Sequence, residues 1–400
     1  MLNPNKIRKD FKILSGEKPP IYFDNACMSL KPDSVVAAIN QYYFEYPACA
    51  VRSPHKLADK ATRKIEETRQ LVAKFINAKS EKEIIFTRNT TEGLNLLANS
   101  FGLKKDDVVL VSDKEHNSNL VPWLVLRDKI GIAVKIIRSN EDGSFNFDNF
   151  KKIISGAKLI SIVYTSNLDG VTNPVKEIIE IAHQNKVLVM LDAAQTMLHQ
   201  KVDVQKLDAD FLAFSGHKML GPTGTGIFYG KQKLLEKLEP FIVGGETISS
   251  STYDSYEFLP VPEKFEAGLQ DYAGIIGLEE AAKYLSRLDF KDIQEHELKL
   301  NAYLTDELKK IPQIRIIGPE YPALRGSILN FYIPEKDMHQ ISVMLDEIAD
   351  IAVRSGRHCM HAWFEDKKIY NSARISLSFY NIMEEAELFV DSLNKIIKIL

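Results

Sequence analysis

Cysteine is scarce in this chain. Its three cysteines among 400 residues, Cys27, Cys49 and Cys359, are odd in number and widely separated. No disulfide framework is expected, and each is read as a free thiol. Long apolar runs are missing as well: no window approaches the roughly 18 to 20 residues that a membrane span needs. The N-terminal MLNPNKIRKDFKIL has no apolar core of signal-peptide length. The expectation is a cytoplasmic protein without a membrane segment. An excess of one charge sign is also absent, since 51 Lys and Arg face 54 Asp and Glu, interspersed along the chain. Such a balance creates no field that gathers nucleic acid, and no nucleic-acid partner is expected. With no internal repeat, low-complexity segment or heptad run, one enzyme-like body is the simplest description.

What is present, 45% apolar and 26% charged residues, suits a globular chain. Single cores stop growing at about 250 to 300 residues, so two domains are expected. From about residue 84 to 230, the runs EIIFT, DVVLVS, AVKIIR, KLISIVY, KVLVMLD and DFLAFS alternate with amphipathic stretches. That alternation predicts a mostly parallel sheet covered by helices, an α/β architecture. Upstream, Leu57, Ala61, Ile65, Thr68, Val72 and Phe75 recur at helical spacing and predict a long helix packed on the sheet. Beyond residue 284 a helix over about 290–310 precedes the strand candidates IRIIG, SILNFYI, IAVRSG and RISLSFY, a smaller α+β unit. The expected division is a large domain over 20–284 and a small one over 285–400. The small domain is joined by an N-terminal arm, 1–19, and carries the Cys359 loop.

The stretch SGHKMLGPTGTG places Lys218 after an apolar strand and before Gly221, Gly224 and Gly226. A lone lysine is ordinarily a solvated charge. Here the missing side chains let something bulky approach the backbone. GPTGTG fits neither the dinucleotide fingerprint nor a P-loop, and IFY, a strand, follows it. A lysine amine held out of water can instead attack an aldehyde, and pyridoxal phosphate is the obvious aldehyde. That cofactor needs a carboxylate facing its ring nitrogen, and KVLVMLDAAQ supplies Asp192, which could equally be a helix N-cap. Its phosphate suits a helix N-terminus bearing hydroxyls, and FTRNTTEGLNLL offers Thr90 and Thr91, with ordinary capping as the plainer role. Ser215 and His217 flank the turn before Lys218, and the loop histidine His116 could cover the ring.

TEGLNL, EHNSNLVPW, SNLDGVTNP, DAAQ, FSGHKMLGPTG, FEAG and RSGRHCM, in this order across almost the whole chain, resemble a fold-type I, class V aminotransferase-type enzyme. More narrowly, they resemble the group II (SUF-type) cysteine desulfurases and their selenocysteine lyase relatives. The resemblance implies a seven-stranded, mostly parallel sheet in the large domain, pyridoxal 5′-phosphate as cofactor and a homodimer. It implies that Lys218 forms the covalent link, Asp192 pairs with the pyridine nitrogen and His116 stacks on the ring. Asn167 and Gln195 match ring-hydroxyl contacts, and Thr90, Thr91, Ser215 and His217 match the phosphate cup. Arg374 matches the arginine that holds the substrate carboxylate, with Arg354 and Asn167 beside the substrate. No metal is expected.

The cofactor alone does not select a reaction. Cys359 lies among Arg354, Arg357, His358 and His361, a neighbourhood that favours thiolate. The expected activity converts L-cysteine to L-alanine and leaves a persulfide on Cys359 for an iron-sulfur scaffold or another sulfur acceptor. Selenocysteine lyase, or an aminotransferase or epimerase with Cys359 as bystander, are the alternatives, along with a cofactor-free sulfur carrier. A buried structural thiol or a metal site at His358, Cys359 and His361 are other roles for the cysteine. Cys27 and Cys49 are read as structural, with Cys27 near the substrate entrance. The chain departs from the family pattern at Val51, Leu269 and Arg357, where the family has histidine, threonine and histidine.

Overall fold

Strands buried on both faces of a parallel sheet read as continuous apolar runs, and the runs singled out above become such strands. They are β1 (Ile84–Thr87), β2 (Val108–Ser112), β3 (Ala133–Ile137), β4 (Ala157–Val163), β5 (Leu188–Asp192), β6 (Phe211–Ser215) and β7 (Gly226–Gly230). The structure, a computed structural model, describes residues 2–399. The seven strands lie in the order β1-β7-β6-β5-β4-β2-β3. Only β7 is reversed, antiparallel to both β1 and β6, while every other adjacent pair is parallel. The expected α/β class with a mostly parallel seven-stranded sheet is the one observed.

Helices cover both faces: α1 (Asp33–Glu45), α2 (Lys56–Phe75), α3 (Thr90–Ser100), α4 (Asn117–Ile130), α5 (Val175–Gln184) and α6 (Tyr272–Leu285). One apolar cluster joins α2, α5 and α6 to one face of the sheet, and a second joins α3 and α4 to the other. The long helix expected from Leu57 onward is α2, with two differences. Its buried stripe runs through Ala58, Ala61, Ile65, Thr68 and Val72, so Leu57, one position off that stripe, stays 47% exposed. It also packs chiefly against α6, with a smaller contact to the sheet at β1.

The second sheet holds β8 (Arg315–Ile317), β9 (Ile328–Tyr332), β10 (Arg354–Gly356) and β11 (Ser372–Ser376), antiparallel throughout in the order β8-β9-β11-β10. It is backed by α7 (Phe290–Lys309), α8 (Met338–Ala349) and, after the short α9 (His361–Lys367), α10 (Met383–Ile399). The run IAVRSG is divided. Ile351–Ala352 pairs in parallel with Ile21–Tyr22, and the chain joins the second sheet only at Arg354. Ile21 and Phe23 accordingly belong to the second sheet's core. The N-terminal arm is held by a buried ion pair, Arg8 to Glu385 at 2.6 Å, and by Phe11 against Tyr380 at 4.9 Å between ring centres.

Candidate active site

In parallel α/β sheets the loops beyond the carboxyl ends of the strands form the natural crevice, and a cavity of about 220 Å3 lies there. β5 ends at Asp192, β6 ends at Ser215, and a one-turn 3-10 helix, Gly216–Lys218, follows β6. Asn167 comes from the loop after β4, Gln195 from the turn after β5, and His116 from the loop after β2. The second sheet contributes Arg354 and Arg374, and the turn after β10 contributes Cys359. All twelve residues nominated from the sequence line this one cavity: Thr90, Thr91, His116, Asn167, Asp192, Gln195, Ser215, His217, Lys218, Arg354, Cys359 and Arg374.

The turn bearing Lys218 is anchored through a carbonyl. His217 O accepts from Ser29 N–H, Ser29 Oγ and Lys31 Nζ at 3.0, 3.1 and 3.1 Å. These anchors come from CMSLKP, far away in sequence. The Lys218 amine has no hydrogen-bond or ion-pair partner among the described residues. Burial lowers its pKa below the ordinary lysine value, and the Asp192 charge acts against that shift. Asp192 is itself pushed up by burial, against the pull of the Ala194 N–H that it accepts at 3.0 Å. It is not a helix N-cap; a loop follows β5.

His116 caps α4: its Nδ1 accepts the Ser118 N–H at 3.1 Å. When the ring is neutral, the proton therefore sits on Nε2. Burial, reinforced by the Lys218 cation, pushes the imidazole down to about 3. The preceding residue, Glu115, is raised to about 7 by burial and accepts from Asn119 Nδ2 at 2.6 Å. His217 is lowered to about 4, chiefly by burial.

Thr90 and Thr91 open α3, but neither caps it. Asn89 does, accepting Glu92 N–H at 3.0 Å. The threonine hydroxyls are used otherwise: Thr90 Oγ1 lies 2.7 Å from Ser215 Oγ, and Thr91 Oγ1 2.8 Å from Ser118 Oγ. Ser215 Oγ also accepts Thr90 N–H at 2.8 Å. Hydroxyls and a helix N-terminus thus converge on one corner, the arrangement that favours an anion.

Gly221 and Gly226 make room for the protein's own backbone, and Gly224 takes a left-handed turn at φ 79°. A Cβ on Gly226 would lie 2.7 Å from Asn89 Cα and 2.8 Å from Phe214 O, and one on Gly221 3.0 Å from Gly216 O. At Gly226 the reason is close packing of β7 against the cap of α3.

Arg354 and Arg374 are direct antiparallel partners on β10 and β11, so two guanidinium groups share one face of the sheet. Arg374 is 2% exposed, donating to Asn167 O at 2.9 Å and Asp24 Oδ1 at 3.4 Å, while its Nε has no partner. This is no surface ion pair. Like charges set opposite each other repel, and a bound carboxylate would relieve that repulsion.

His358 and Cys359 both have left-handed backbone, at φ 49° and 59°, a strained state for non-glycine residues that clusters at functional sites. Of the four cationic or imidazole neighbours expected around Cys359, only Arg354 reaches the sulfur, with Nη2 4.0 Å from Sγ. Arg357 pairs with Glu365, His361 bonds Asn117 at 2.9 Å, and His358 turns its Nε2 to Ser372 Oγ at 2.9 Å. Burial drives His358 well below the usual histidine value, and its Nδ1 is unpartnered. Among the described residues no three His, Cys, Asp or Glu are grouped to hold a metal ion. Asn89, Ser118, Thr165 and His358 line the cavity without having been nominated, and Cys27, expected near the substrate entrance, lines it too. Cys49 lies outside it.

Sheet order, crevice and lining residues together define a class of protein. The chain belongs to the aminotransferase class-V family, whose profile matches residues 21–389. It is 40% identical to a probable cysteine desulfurase of Synechocystis, over 98% of this chain and 95% of the relative. The apo cysteine desulfurase of Thermococcus onnurineus has the same fold, with a TM-score of 0.95 at 37% identity over 100% of this chain and 99% of the other. The Escherichia coli cysteine desulfurase CsdA, in its S-sulfonic acid form, gives 0.93 at 31% identity over 100% of both chains. No helix among the described residues is long and apolar enough to cross a membrane.

Proposed function

We propose that this protein is a pyridoxal-phosphate-dependent cysteine desulfurase of the group II (SUF-type) subgroup. It converts L-cysteine to L-alanine and holds the sulfur as a persulfide on Cys359. The observation that carries this reading is the convergence of twelve nominated residues, from two separate sheets, on one cavity.

The residues fit the cofactor. An amine without a partner, a buried carboxylate, a neutral imidazole and a hydroxyl-bearing helix N-terminus match an aldehyde, a pyridine nitrogen, an aromatic ring and a phosphate. Bound there, pyridoxal 5′-phosphate supplies an aldehyde for an amine and a ring that takes up electron density from an amino acid's α-carbon. Lys218 provides the amine, lowered by burial so that a nucleophilic fraction exists. Asp192 holds the proton of the ring nitrogen, His116 covers the ring, and Asn167 and Gln195 orient its hydroxyl. Thr90, Thr91, Ser215 and His217 hold the phosphate.

Arg374 and Arg354 receive the substrate carboxylate, and the Cys359 thiolate takes the sulfur. The Cβ–S bond of L-cysteine breaks, an S–S bond forms on Cys359, and the thiol proton passes to the product. Cysteine plus thiol gives alanine plus persulfide, with no external oxidant. The persulfide then passes to an iron-sulfur scaffold or another sulfur acceptor in the cytoplasm.

The active species in this proposal is a homodimer. Val51, Val243 and Leu269 are exposed apolar residues at 76, 60 and 69%. The segments that carry them are joined by the Arg52–Glu246 ion pair and by the Gly268 N–H to Gly245 O bond at 2.8 Å. A second copy covering this face would remove that surface from water. The division into 20–284 and 285–400 with arm 1–19 is part of the same proposal; a separate apolar cluster from Leu300 onward supports its C-terminal part, although Ile21 and Phe23 join that cluster as well.

Cys359→Ser tests the reading. Sulfide release from L-cysteine should fall by about two orders of magnitude or more, with the fold intact. Unchanged release would sink the persulfide scheme and leave Cys359 a bystander. Lost cysteine turnover with retained selenocysteine turnover would point to a selenocysteine lyase.

A further inference from the structure

Nothing in the scheme above uses Cys27, yet it lines the same cavity as Cys359. Its Sγ accepts from Arg354 Nη1 at 2.8 Å, and Arg354 Nη2 stands 4.0 Å from Cys359 Sγ. One guanidinium therefore faces both sulfurs. The two thiols differ in their support. Cys27 sits on a turn fixed by the Cys27 N–H to Asp24 O bond at 3.0 Å, and its neighbour Ala26 donates from N–H to Ser376 Oγ at 2.9 Å. Cys359 follows Gly356, at φ 115°, just beyond β10, where residues 354–357 are only half-buried. Buried in the same cavity wall, the His358 Nδ1 and the Arg374 Nε lack partners, polar atoms left over for a ligand.

We propose that Cys27 is a second sulfur-holding thiol, to which the Cys359 persulfide passes its outer sulfur within the cavity. The proposal rests on the desulfurase reading. The Cys27 thiolate attacks the outer sulfur, the Cys359 S–S bond breaks, a new S–S bond forms on Cys27, and Cys359 leaves as thiolate. Atoms and electrons balance without an oxidant or reductant. A persulfide extends the Cys359 side chain by one S–S bond, about 2.05 Å, beside the guanidinium that Cys27 already contacts. Arg354 faces the anion on either sulfur, before and after transfer. The regenerated Cys359 can then accept sulfur from a second cysteine, so each chain stores two sulfur atoms before it stalls.

The experiment is a burst measurement on the reduced holoenzyme, freed of reductant and mixed with excess L-cysteine without an acceptor. Alkylation and peptide mass mapping follow. The expected burst is about two alanines per chain, with an added sulfur on both the Cys27 and the Cys359 peptides. In Cys27→Ser it falls to about one, on Cys359 alone. A wild-type burst of one with Cys359 labelled and Cys27 bare overturns the proposal, and needs no variant to fold. Sulfur on Cys27 in Cys359→Ser also overturns it, because Cys27 would then take sulfur directly. If wild type forms no alanine and labels neither thiol, the desulfurase reading itself fails and the relay with it.

Discussion

The backbone N–H of Asn117 donates to the carbonyl of Cys359 at 2.7 Å. Asn167 Nδ2 donates to the neighbouring His358 carbonyl at 2.9 Å. The loop carried by the second sheet is thus docked on two elements of the first, one of them the helix that His116 caps. Both acceptors are main-chain oxygens, so the Cys359 side chain can be changed without losing the docking. This makes Cys359→Ser a clean probe of chemistry rather than of loop position.

Arg374→Lys should raise KM for L-cysteine by about 10- to 100-fold and lower kcat less. Lysine keeps the charge but loses the planar fork that contacts Asn167 O and Asp24 Oδ1. Steady-state kinetics check this, and an unchanged KM would remove Arg374 from substrate binding.

Gly226→Ala should destabilise the protein by about 1 to 3 kcal/mol, because the new methyl group would lie 2.7 Å from Asn89 Cα. Asn89 caps α3, so the variant should also bind the cofactor phosphate more weakly. Denaturant titration together with cofactor titration measures both. Wild-type stability would mean that β7 and the cap are not packed as described.

The pH dependence of apo-protein stability should carry a signature of His116. Its folded pKa, about 3, lies below the unfolded value of 6.5, so between these values the unfolded chain binds more protons. Stability therefore falls as pH drops from 6.5 toward 3. Glu115, raised from 4.5 to about 7, acts oppositely: its contribution is full below 4.5 and is lost as pH rises through 7. Comparing wild type with His116→Gln cancels the Glu115 contribution, and the variant should lose less stability on acidification. Identical profiles would contradict a buried neutral imidazole.

The parts of this site legible in the sequence were those written locally. KVLVMLD reads as a buried strand because nothing polar interrupts it, and Asp192 at its end then faces the crevice by topology. SGHK, following DFLAFS, placed Lys218 in the same way. Contacts over long separations were not legible. ACMSL looks apolar, and nothing near Cys27 announces Arg354, 327 residues away. The four cationic or imidazole neighbours of Cys359 share a segment but not a direction, so the local charge count overstated what the sulfur meets. The carbonyl of His217 gave no sign of its three donors from Ser29 and Lys31. IAVRSG reads as one strand, and only the arrival of Ile21–Tyr22 divides it.

The central claim is a covalent link between the Lys218 amine and the cofactor aldehyde. Borohydride reduction of the holoprotein followed by peptide mass mapping tests it most directly. The peptide containing Lys218 should carry the reduced pyridoxyl group, and no other lysine should. A label on a different lysine, or none on a protein saturated with cofactor, would contradict the account.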